Sequence, residues 1–137
     1  MSHALSFTHA PSVRRGRSGL IAVWVVQIAL AGMFLLAGGS KLLGAPAMAA
    51  LFNTVGIGQW FRYVTGLIEV GSAIALLVPS VAVYGAVALV PTMIGAVATE
   101  LFIAGGSPVP PAILLLGAVG VVWARRRQLL SARRIAI

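Results

Sequence analysis

Only two acids occur in the sequence, Glu69 and Glu100, and each stands inside a long apolar stretch. Two bases, Lys41 and Arg62, lie in the same central part of the chain, so that region is electrically neutral. A carboxylate beside an ammonium or guanidinium, shielded from water, can seat a polar head group or accept a proton. A charge at mid-bilayer costs about 3 kcal/mol on insertion scales, so such side chains turn toward a partner charge, water or the protein interior.

Spacing narrows the partners. Arg62, Gly66, Glu69 and Ala73 fall on one face of a helix, and Gln27, Phe34 and Lys41 recur at heptad spacing on another, with Ala37 and Gly38 beside the lysine. These two small, polar faces are expected to pack. Glu69 then pairs with Lys41 or Arg62, and Glu100 joins from the next helix, giving a neutral polar pocket in the outer half of the membrane. The same quartet also serves a plainer purpose, fixing helix register, and the sequence does not choose between the two. Pro91 frees a carbonyl one turn earlier and predicts a kink near Thr92 that widens the pocket. Met33, Met48, Met93, Phe34, Phe52 and Phe102 read as packing residues.

The elements that position these groups follow from composition. Of 137 residues, 60% are hydrophobic and 9% charged, too few charges to cover a water-exposed domain. The expected fold is all-α: an integral membrane four-helix bundle with helices at about 19–43, 61–78, 81–103 and 110–124. The first run is too long for a signal peptide and lacks a small-residue cleavage site. Residues 44–60, with Pro46, Gly56 and Gly58, read as an interfacial connection of undefined conformation. Residues 1–18 read as a disordered basic tail and 128–137 as a second basic tail, flanking a transmembrane domain at 19–127.

The net charge of +8 resides in those flanks, with Arg14, Arg15 and Arg17 before the first run and Arg125, Arg126, Arg127, Arg133 and Arg134 after the last. Positive residues accumulate on the cytoplasmic side, which places both termini there. Tryptophan and tyrosine agree: Trp24, Tyr84 and Trp123 fall near the inner ends, Trp60 and Tyr63 near the outer. No aromatics interleave with the arginines, so membrane lipids and not nucleic acid are the expected partners. There are no cysteines, and both histidines, His3 and His9, lie in the first tail; haem and metal sites are therefore not expected. Phosphate loops and serine-nucleophile motifs are missing too, and no catalytic residue is assigned.

The ordered set LLAGGSKLLGAP over 35–46, GLIEVGSAIALLVP over 66–79, and an acid before a proline-rich turn resembles the DoxX-like family. The resemblance covers about 20–127 and carries Lys41, Gly44, Glu69 and Gly71 as family motif positions, with Glu100 at a more variable place. It implies a small, multi-pass bacterial protein of the inner (cytoplasmic) membrane. It further implies a non-catalytic accessory subunit of a quinone-linked or oxidative-stress oxidoreductase, with quinone as the cofactor and an oxidoreductase subunit as partner. The alternative is a small proton-coupled or cation transporter, a class in which a homo-oligomer of such units with embedded glutamates moves cations.

Overall fold

Arg17–Leu42 contains no proline or acid and winds into α1, 26 residues long, about 39 Å at 1.5 Å per residue. Lys41 occupies its last turn, where a cation complements the carbonyl end of the helix. The chain leaves α1 through Gly44, whose φ of +72° a side chain would resist. Ala45 N donates back to Ser40 O at 3.0 Å, the wide closing bond of a glycine-terminated helix. These coordinates are a computed structural model and describe residues 16–135. The expected disordered tail lies outside the described residues up to position 15, and α1 already starts at Arg17.

The connection after Gly44 is itself helical. Pro46 opens α2, Pro46–Val55, at a position where its missing N–H costs nothing, and Gly56 closes it with a φ of +80°. α3 runs Gln59–Leu76 and ends before the Pro79 turn. α4, Ala82–Thr99, passes continuously through Pro91. It then widens into a π-helical segment, Glu100–Ala104, closed by a bond from Gly105 N to Glu100 O at 3.1 Å. α5 spans Val109–Ile135, so its arginine-rich end continues the helix rather than leaving it.

α1 packs against α3 and α5, and α4 packs against the same two, closing a ring of four long helices with α2 laid across α3 and the π segment. Leu30, Ala31, Phe34, Ala73, Leu76, Ala86, Leu89, Met93, Ala118 and Val121 meet in its core. Among the described residues there is no strand, and the fold is all-α. Two helical stretches, Arg17–Leu42 and Ala82–Ala104, are long and apolar enough to cross a membrane. α3 carries Arg62 and Glu69 within its length, and the apolar part of α5, Val109–Ala124, is shorter.

Polarity is not divided between surface and interior as in a water-soluble protein. Leu36, Leu43, Phe102 and Leu116 are largely exposed, whereas Gln27, Arg62, Glu69 and Ser72 are buried. Burying four polar side chains while leaving large apolar ones outside is favourable only where the surroundings are themselves apolar.

Candidate functional site

The site begins with an approach of two backbones. Gly38 on α1 faces Gly66 on α3; a Cβ added at Gly38 would lie 2.8 Å from Val70 and 2.9 Å from the Gly66 carbonyl oxygen. No side chain fits there, so the helices come together one turn from Lys41 and one turn from Glu69. Lys41 Nζ donates to both oxygens of Glu69, at 2.9 Å to Oε1 and 2.8 Å to Oε2. Glu69 is 2% exposed and Lys41 14%, so the pair is shielded on most sides. Charge-assisted bonds to both oxygens leave neither half of this pair as an isolated buried ion.

Arg62 is buried on the same face of α3 but stands outside the ion pair. Its Nη1 donates to the Lys41 carbonyl oxygen, its Nε donates to Gln59 Oε1 at 2.7 Å, and its guanidinium lies 4.4 Å from the Tyr63 ring centre. Gln59 Nε2 in turn reaches Ala49 O at 3.0 Å and Asn53 Oδ1 at 2.8 Å. A polar strap thus ties the end of α1 to α2 through α3. Arg62 clamps the helix end that carries Lys41, and Gly44 sits beneath it, with the guanidinium 3.5 Å from where a Cβ would be.

Glu100 opens the π segment at the same end of the molecule. Among the described residues it makes no ion pair. Its carboxylate rests against Gly106, where an added Cβ would collide with it. Lys41, Glu69 and Glu100 all line one cavity of about 840 Å³, bounded by α1, α2, α3, α4, the π segment and the first turn of α5. Phe34, Met48, Phe52, Ile68, Met93 and Leu114 supply apolar wall, and Pro91 contributes to it from α4. Arg62 does not line it, and Gly71 lies on an open face of α3, with nothing within 4 Å of where a Cβ would be.

Sequence reasoning left Asn53 and Gln59 unassigned, although Gln59 and Arg62 are three apart on one helix face, a visible signal. Met48, Phe52, Phe34 and Met93, expected as packing residues, all line the cavity; Phe34 and Met93 also pack in the core, and Phe52 meets Phe61 edge-on at 6.0 Å. The α2 contribution depends on a helix that the Pro and Gly pattern did not reveal.

The DoxX-like family model matches residues 25–124. The chain belongs to the DoxX-like family. That match encloses Lys41, Gly44, Arg62, Glu69, Gly71 and Glu100, the whole of the ionic site and of its strap. No curated protein and no solved structure matches the chain.

The quinone implied by the family resemblance can be tested against this DoxX-like cavity. Its volume and apolar wall suit a ring with a lipid tail. Its polar atoms suit it poorly, because a quinone presents only acceptor oxygens and the ions here include two carboxylates against one ammonium.

Proposed function

We propose that this DoxX-like protein crosses the cytoplasmic membrane four times with both termini inside, and acts as a non-catalytic accessory subunit of an oxidoreductase system. Its cavity near the outer face holds the polar head of an amphiphile. The observation that carries the reading is an ion pair, Lys41 with Glu69, on the wall of a largely apolar cavity beneath an apolar exterior. The four long helices alternate in direction, so Lys41, Arg62, Glu100 and the start of α5 share one end, while Arg17 and Arg125–Arg127 share the other. The greater number of arginines at the second end agrees with cytoplasmic termini.

Purification in mild detergent, followed by mass spectrometry of bound small molecules and proteins, tests the proposal. A retained amphiphile and a copurifying oxidoreductase subunit are expected; an empty, partnerless preparation contradicts it. Cation transport is the second reading, favoured by Glu100, a carboxylate in the cavity with no base paired to it among the described residues. A Glu69→Gln variant separates the two: loss of pH-dependent uptake in vesicles supports transport, and loss of the copurifying partner without a flux defect supports the subunit.

A further inference from the structure

The few polar groups on the wall of this largely apolar cavity offer acceptors more than donors. Thr65, Thr92 and Thr99 line it, yet each hydroxyl proton goes to the helix that bears it. Thr65 Oγ1 donates to Phe61 O at 3.1 Å, Thr92 Oγ1 to Ala88 O at 2.9 Å and Thr99 Oγ1 to Gly95 O at 2.9 Å. Toward the cavity these oxygens can only accept. The first turn of α5 also faces it, and a helix start normally offers unpaired N–H groups. Here Pro110 and Pro111 have none, Val109 N is bonded to Ser107 Oγ at 3.3 Å, and Ala112 N to Pro108 O at 3.0 Å. Lys41 gives two of its three N–H bonds to Glu69, which leaves one.

The charge balance points the same way. One ammonium, Lys41, faces two carboxylates, Glu69 and Glu100, so the ionised lining is net negative by one. An anionic head group would confront Glu100, and a head with acceptors alone would find a single donor. We infer that the cavity takes a lipophilic ammonium, an apolar body carrying a protonated amine whose N–H groups meet the Glu100 carboxylate. This rests on the cavity being the ligand site proposed above, and not on association with an oxidoreductase.

The test uses the full chain in phosphatidylcholine nanodiscs, titrated with dodecylamine, dodecanol and dodecanoate at neutral pH, with empty discs correcting for partition. The amine is expected to bind about ten-fold tighter than either analogue, the scale of one charge-assisted contact. Glu100→Gln reduces the amine to the level of the alcohol, while Glu100→Asp keeps most of the preference, which separates loss of the carboxylate from loss of the fold. Equal binding of the alcohol or the carboxylate, or an amine preference that survives Glu100→Gln, overturns the inference. Binding of none of the three overturns the ligand-site reading together with it. Adding phosphatidylethanolamine identifies the source of the ammonium: competition with dodecylamine assigns it to a lipid head group, and undisturbed amine binding to a free amine, either result supporting the inference.

Discussion

Both ends of the helix ring bury polar side chains, but they do so differently. At the end bearing the C-terminal arginines, Gln27 is fully buried and donates to Leu76 O at 2.6 Å, while Arg125 Nε donates to Gln27 Oε1, also at 2.6 Å. Arg125 lies 5.4 Å from the Trp24 ring centre, and Gln128 reaches Pro79 O at 2.8 Å. The nearby depression between α1 and α5, about 340 Å³, is lined by Val23, Val26, Leu116 and other side chains without charge. Here polar groups fasten α1, α3, α5 and the Pro79 turn to one another, and no acid takes part. At the Lys41 end the polar atoms are ions, and they border a volume more than twice as large. The contrast separates a fastening from a site: amides and a guanidinium closed on one another and on backbone carbonyls hold helices, whereas carboxylates beside open space have something left to bind.

Breaking the ion pair is expected to have the largest effect. Lys41→Ala or Glu69→Ala leaves a buried charge without its partner and should lower unfolding stability by about 3–5 kcal/mol in detergent or bicelles. Gly38→Val comes next, because its side chain meets the Gly66 carbonyl and Val70 and must push α1 from α3; a loss of about 1–3 kcal/mol is expected. At the opposite end, Gln27→Leu keeps the volume but leaves Leu76 O and Arg125 without their amide partner. It should cost about 1–3 kcal/mol in the same unfolding assay while leaving ligand binding at the Lys41 end unchanged. The smallest effect belongs to Gln128→Ala, which removes one exposed bond and should stay within about 0.5 kcal/mol. If Gln27→Leu altered ligand binding as strongly as Glu69→Ala, the distinction between the two ends would fail.

The pairing of Lys41 with Glu69 was legible because charges are rare in this chain and helical spacing put each beside small residues on facing helices. The role of Arg62 was not, since a guanidinium finds backbone carbonyls as readily as carboxylates and sequence marks only the latter. α2 was hidden because Pro46 and Gly56 read as breaks when they are the start and stop of a helix. The helical continuation of α5 through Arg125–Arg127 was equally hidden, since arginine suits a helix as well as it suits a tail. The shortage of donors on the lining depends on where three threonine hydroxyls turn and on two prolines at the start of α5, and spacing carries no signal for either.

The most direct measurement is the coupling energy of Lys41 and Glu69 from a double-mutant cycle with Lys41→Met, Glu69→Met and the double variant, followed by reversible unfolding in bicelles. The ion pair described here predicts that the double variant is more stable than either single one, with a coupling of about 2 kcal/mol or more. Additive losses, with the double variant the least stable of the three, would show that the two side chains do not meet.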